Sequence, residues 1–270
     1  MKRFLLLVVL AMSCSLALAQ FPQKKYDYAT EKDIVYRADD DYAEKMCRMD
    51  VAYPQGVEKG RPVIVWFHGG GLTGGWRHIP HELLREGAVV VGVGYRFSPQ
   101  VSVTQIIDDA ACAIAWVMDN AAKYGGDPDK IFISGHSAGG YLVTMVGLDR
   151  SRLVKYEKNA DALAGIVPFS GQVITHFEER RSRGIEPTKP VVDSLAPLYY
   201  VRGDAAPILI LSGDRELEML GRYEENAYFW RMLRLAGDED AAIYELDGYG
   251  HNMCEPGYPL LLEFVRKQLK

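Results

Sequence analysis

Ile131-Phe132-Ile133-Ser134-Gly135-His136-Ser137-Ala138-Gly139-Gly140 decides how this chain is read. Four residues of strand character run into Gly135-His136-Ser137-Ala138-Gly139, which fits G-x-S-x-G. A helical pattern from Tyr141 to Leu148 follows. Strand, sharp turn and helix, in that order, are the context a nucleophile elbow needs. The serine of such an elbow sits in a strained turn, so the residues two before and two after it must be very small. Gly135 and Gly139 meet that demand. The following helix would aim its N-terminal amides at any negative charge that develops beside Ser137. A bare G-x-S-x-G also arises by chance as a glycine-rich turn, so its neighbours must decide.

Upstream, Pro62-Val63-Ile64-Val65-Trp66-Phe67 is a continuous apolar run, the mark of a strand buried on both faces. It ends in His68-Gly69-Gly70-Gly71. Glycines directly after a core strand let the backbone approach a ligand with its amides free. A phosphate loop fails on detail, because neither G-x-x-x-x-G-K-[ST] nor G-x-G-x-x-G opening a helix is present. Ala88–Val93 is a second buried strand, and residues 103–122 carry apolar positions at helical spacing. Gly125-Gly126-Asp127-Pro128 stops that helix and turns into the elbow strand.

Downstream, Gly165–Ser170, Pro207–Leu211 and Ala242–Leu246 read as strands, with helices at Tyr223–Leu235 and Tyr258–Leu269. Before the core, Asp33–Tyr36 and Met46–Tyr53 suit an antiparallel edge pair, and residues 20–32 read as a lead-in arm. Strands and helices alternate from Pro62 onward, which predicts a mostly parallel sheet with helices on both faces. Residues 171–195 are polar, charged and irregular, either a cap over the site or a solvated excursion. Charge runs usually face solvent, so the second reading is preferred.

Serine needs a base, and the base needs a group that fixes its tautomer. Both should follow Ser137 in chain order, at strand C-termini. Of six histidines, His251 in Gly248-Tyr249-Gly250-His251-Asn252 stands just past the last strand and is the choice. His136 is the variable elbow residue, His68 lies in the glycine loop, and His78, His81 and His176 lie elsewhere. For the acid, Asp214 and Glu216 both follow the 207–211 strand. Gly213 plus three gives Glu216, while the commoner use of aspartate favours Asp214. Glu216 is preferred, Asp214 is the alternative, and Asp247 and Glu218 trail them. The oxyanion donors would be the backbone N–H groups of Gly70, Gly71 and Ala138. Trp76, Tyr95 and Tyr249 are pocket candidates.

The 270 residues are 48% hydrophobic and 25% charged, an ordinary globular composition with ample capacity for a core. A formal net charge of −5 argues against a nucleic-acid or anionic-membrane surface. Lys2 and Arg3, an apolar run from Phe4 to Leu18 and Ala17-Leu18-Ala19 form a secretory signal cut after Ala19. That predicts a secreted or periplasmic protein without stable membrane insertion. Processing as a lipoprotein at Cys14 is the rival, against a poor lipobox. The mature chain, residues 20–270, then forms one domain. Cys47, Cys112 and Cys254 allow at most one disulfide, Cys47–Cys254 being an open pairing, and Cys112 reads as core. Their spacing is not that of a metal site. No cofactor is needed, because nucleophile, base and oxyanion donors all lie in the chain.

His68-Gly69-Gly70-Gly71, Tyr95-Arg96-x-x-Pro99, Tyr124-Gly125-Gly126-Asp127-Pro128-x-Lys130-Ile131 and Gly135-His136-Ser137-Ala138-Gly139-Gly140 together resemble the α/β-hydrolase serine esterases of the hormone-sensitive-lipase-like and carboxylesterase-like group. The resemblance covers about Asp50 to the C-terminus. It implies the α/β-hydrolase fold and an acyl-enzyme on Ser137. With the signal segment, the chain looks most like secreted bacterial esterases that remove acetyl or feruloyl groups from plant polysaccharides, so an acylated carbohydrate or small ester is the expected partner. An amidase or peptidase of the same fold is the alternative. The chain departs from the group in its short or absent N-terminal cap helices and in an acid turn reading Gly213-Asp214-Arg215-Glu216.

Overall fold

Periodicity changes along β3 (Arg61–Phe67) fix where the two layers of helices lie. Val63, Val65 and Phe67 join one apolar cluster, and Ile64 and Trp66 join another. Side chains alternate across a strand, so a run with no polar break must have helices on both faces. The computed structural model describes residues 26–270 and bears this out. Residues 1–19, read above as a secretory signal, lie outside the described residues.

The sheet has eight strands in the order β1-β2-β4-β3-β5-β6-β7-β8. β1 (Tyr28–Val35) and β2 (Arg48–Pro54) pair antiparallel at one edge, and β2 pairs antiparallel with β4 (Val89–Val93). From β4 onward every neighbour is parallel: β3, β5 (Gly126–His136), β6 (Gly165–Phe169), β7 (Leu209–Gly213) and β8 (Ala242–Leu246). The polar arm expected before Asp33 instead contributes β1 from Tyr28 on, with Tyr28 facing Pro54. A short helix, α1 (Asp41–Met46), interrupts the edge pair and is capped by the Asp40 carboxylate.

One face carries α2 (Val103–Asn120), α3 (Ala138–Leu148), α4 (Arg150–Val154) and α6 (Arg222–Leu235) over the larger cluster. The other carries α7 (Cys254–Gln268), which starts four residues before the sequence pattern suggested. Each Leu, Ile or Phe buried this way contributes about 1.5–3 kcal/mol against conformational entropy. All eleven residues of α3 are buried, so the helix after Ser137 has no freedom to drift.

Two ties position the loops above the parallel strands' C-terminal ends. Arg96, just past β4, makes a bidentate pair with buried Asp109 of α2, at 2.7 and 2.9 Å. Ser98 Oγ donates to Glu178 of α5 (Phe177–Ser182) at 2.7 Å. The segment 171–195 divides: Val173, Thr175, His176, Glu178 and Arg180 turn inward, whereas residues 181–194 are mostly exposed, as the solvated reading expected. Glu178 is buried because it accepts from Ser98 and pairs with Arg181, so part of the charge run does not face solvent. Cys47, Cys112 and Cys254 are all free thiols, and Cys112 is only partly buried.

Candidate active site

Ser137 sits between β5 and α3 at φ 54° and ψ −113°, in the left-handed region that L residues avoid. The local sequence makes this affordable. A Cβ on Gly139 would collide with the Phe67 carbonyl, and one on Gly135 would press on Gly139 and Phe67. Only glycine lets the elbow pass this close to β3. The Ser137 N–H donates to the Phe169 carbonyl at the end of β6, at 2.8 Å, which fixes the turn from the other side.

His251 reaches the serine from the loop after β8. Its Nε2 lies 2.9 Å from Ser137 Oγ. Its Nδ1 lies 3.0 Å from Glu218 Oε2. A carboxylate only accepts, so Nδ1 carries the proton and the Nε2 lone pair faces the serine hydroxyl. The structure thus brings His251 to Ser137, and the carboxylate it places at Nδ1 is neither Glu216 nor Asp214. Glu216 is exposed, and the carboxylate at His251 Nδ1 is that of Glu218. Asp214 is also elsewhere: its carboxylate accepts from Gly248 N at 2.8 Å and Glu216 N at 2.9 Å. The reason is one added turn of helix. The amides of Leu217 and Glu218 both donate to the Asp214 carbonyl, which winds the chain so that residue 218 comes back over β7. Glu218 Oε1 there accepts from Gly213 N at 3.3 Å and Oε2 from Met219 N at 2.8 Å.

Burial of Glu218 pushes its carboxyl up, but hydrogen bonds from His251, Ser170 and Met219 N outweigh it and hold the group at about 2, well below the usual carboxylate value. Glu218 is therefore an anion at neutral pH. Ser170, which sequence reasoning passed over as a strand end, donates to Glu218 Oε1 and places its oxygen 3.0 Å from His251 Nδ1. A positive φ of 48° turns it into the site, and only the last residue of a core strand hinted at it. The elbow residue His136 also has work: Nε2–H donates to the His251 carbonyl at 2.8 Å. Burial, with His251 nearby, lowers it to about 4, so it is neutral at pH 7.

The glycine loop lies over the serine. A Cβ built on Gly69 would sit 3.3 Å from Ser137 Cβ. Gly70 has φ 119°, and a Cβ there would collide with the Gly74 carbonyl, held close because the Thr73 and Gly74 N–H groups donate back to the Gly70 carbonyl. Ala138 opens α3, and the first amides of a helix have no intrahelical acceptor. Gly70 and Gly71 line the same cleft as Ser137, and Ala138 follows the serine at the start of α3. A cleft of about 560 Å³ opens there, lined by Gly70, Gly71, Trp76, Ser137, Phe177 and Met219 among others. Trp76, 77% exposed, lines it as expected. Tyr95 does not: it is fully buried under the loop, stacks on His68 at 4.3 Å and donates to the His68 carbonyl at 2.7 Å. Its apolar ring is worth more as a floor than as a wall. Burial lowers His68 itself to about 4. Tyr249 is outside the cleft too, because its carbonyl is drawn to Asp214 N at 2.7 Å and its ring is left half exposed.

A parallel sheet with an elbow serine after β5, a carboxylate after β7 and a histidine after β8 is the α/β-hydrolase fold. Residues 49–219 match the BD-FAE family, and the chain belongs to it. Esterase LipQ of Mycobacterium tuberculosis is 30% identical over 212 residues, covering 70% of this chain and 50% of that protein. A probable isoprenylcysteine alpha-carbonyl methylesterase of Oryza sativa is 31% identical over 232 residues, covering 76% of this chain and 54% of that protein. The chain thus spans about half the length of the relatives it matches. Among solved structures, a truncated carbohydrate esterase from gut microbiota superposes with a TM-score of 0.73 at 19% identity, covering 90% of this chain and 96% of the other. A propionate-bound esterase of Thermogutta terrifontis does so with 0.66 at 21% identity, covering 91% and 95%.

Proposed function

We propose that this chain is a serine carboxylic-ester hydrolase. The observation that carries the reading is the unbroken hydrogen-bond chain from Ser137 through His251 to Glu218 beneath the glycine loop. The esterase names of the relatives agree with it. Ser137 Oγ attacks the ester carbonyl while His251 Nε2 takes its proton. The N–H groups of Gly70, Gly71 and Ala138 receive the negative charge on the carbonyl oxygen. His251 then protonates the leaving alcohol, and an acyl-enzyme remains. Water attacks that ester with His251 again as base, and the acid and Ser137 are released. Glu218 stays ionised throughout, holding the imidazole in its productive tautomer and stabilising the imidazolium.

The substrates are short acyl or feruloyl esters, with acylated carbohydrates as the natural class, and residues 1–19 direct the chain out of the cytoplasm. Recovery of a mature form beginning at Gln20 from periplasm or medium tests the export. Initial rates on nitrophenyl acetate, acetylated xylan and methyl ferulate, with Ser137→Ala alongside, test the chemistry. Turnover that falls by about 10⁴–10⁶ in the variant is expected. Turnover unchanged by Ser137→Ala would refute the reading.

A further inference from the structure

A second cavity adjoins the cleft. It measures about 520 Å³ and lies between α5, the turn after it and the end of the acid turn. Phe177 and Met219 line both spaces, so the two chambers share a wall of two apolar side chains. Beyond that wall Ile185, Pro187 and Leu220 give an apolar lining, with Gln172, Arg181, Glu186, Arg222 and the buried Arg180 as its polar part. Each chamber alone has the size that takes a whole small ligand, about 300–1,000 Å³. An acetyl group would leave the second one empty.

The exposure pattern points the same way. Met219 is 45% exposed and Leu220 is 82% exposed. Both follow directly on Glu218, whose carboxylate is held by His251, Ser170 and Met219 N. The acid turn therefore cannot fold these side chains away without releasing the carboxylate. Apolar surface held open beside a reactive serine is covered when a ligand arrives. Arg180 is satisfied by three carbonyls, those of Thr175, Pro187 and Lys189, at 2.7–3.0 Å, so it stiffens the far wall and leaves the apolar lining to select.

We propose that this chamber binds the larger apolar arm, alkyl or aryl, of the ester whose carbonyl lies at Ser137. The proposal rests on the ester-hydrolase reading and names the substrate class that reading leaves open: esters with one arm well beyond acetyl size. Two substrate series separate the possible sources of that arm. In one, nitrophenyl esters run from acetate through butyrate to hexanoate. In the other, acetates run from methyl through butyl to phenylethyl alcohol. One series should rise in kcat/KM by about fourfold per methylene while the chamber fills, the value of one buried CH₂. Ile185→Trp should fill the chamber and cut the longest member by about tenfold or more, with methyl acetate, which has no large arm, within twofold of wild type. Leu220→Ala, a change at an exposed site, should flatten the same series by about threefold without affecting the acetate. Flat series in the wild-type protein, or variants that change acetate and long esters equally, overturn the chamber while leaving the hydrolase intact. Loss of all Ser137-dependent turnover overturns both.

Discussion

The elbow after β5 and the acid turn after β7 stand on the same edge of one sheet and feed one histidine, yet they are specified differently. The elbow is a steric device. Gly135 and Gly139 have almost no room for a Cβ, and the strained backbone of Ser137 leaves no alternative placement. The acid turn is a hydrogen-bonded device. Asp214 ties its own turn to Gly248 of the histidine loop, and an added helical turn carries residue 218 back to Gly213. Steric devices are written in adjacent residues. Hydrogen-bonded devices depend on a loop some thirty residues further along.

That comparison is sharpened most by exchanging the acids. Glu218→Gln should lower kcat on nitrophenyl acetate by about 10⁴, because an amide can present its N–H to Nδ1 and select the wrong tautomer. Glu216→Gln should stay within twofold in the same assay. Equal losses in the two would break the assignment of the turn. Next comes the steric side. Gly70→Ala forces a Cβ into the Gly74 carbonyl at positive φ, so it should displace the oxyanion amides and lower kcat by about 10²–10³. A fully active Gly70→Ala would mean that the loop is more pliant than its backbone implies.

Smaller effects follow. Ser170→Ala removes one hydroxyl from a charged acceptor and should slow kcat about tenfold, with little change in KM. Asp214→Ala should lower the urea midpoint, and cost less activity than Glu218→Gln, since it frees the turn without removing the anion. The last prediction concerns acid. His68 and His136 are both lowered from 6.5 to about 4 by burial, so the folded chain binds fewer protons than the unfolded one. Stability should therefore be at full strength above about pH 6.5 and fall as the pH drops towards 4, read as the urea midpoint. Glu218 adds a second loss below its ordinary carboxylate range, as pH falls towards its value of about 2. A midpoint flat from pH 7 to 4 would place the two rings in solvent.

Most of the fold was legible. Val63–Phe67 and Val89–Val93 declare buried parallel strands because no polar residue interrupts them. Ser137 and His251 were legible for the same reason as the elbow, since glycines and strand ends mark their places. The acid was not, because Gly213 plus three assumes a tighter connection, and the hydrogen-bonded turn closed on the Asp214 carbonyl is invisible to a glycine count. Residues 171–195 misled in another way. Glu178 accepts from Ser98 and is buried with Arg180, while Arg181 and Arg183 stay at the surface, so the charge run foretold the second half of the segment and not the first. Tyr95 was a pocket candidate, but its ring stacks on His68 beneath the loop. Ser170 had no signal beyond a strand end, because its role depends on Glu218, 48 residues away.

The most direct test is fluorophosphonate labelling of the full chain, read by intact mass and peptide mapping. The account predicts one adduct, on the peptide carrying Ser137, absent in Ser137→Ala, formed at the wild-type rate in Glu216→Gln and slowed by about 10³ or more in Glu218→Gln. Labelling on another residue, or a Glu218→Gln protein that labels as fast as wild type, would contradict it.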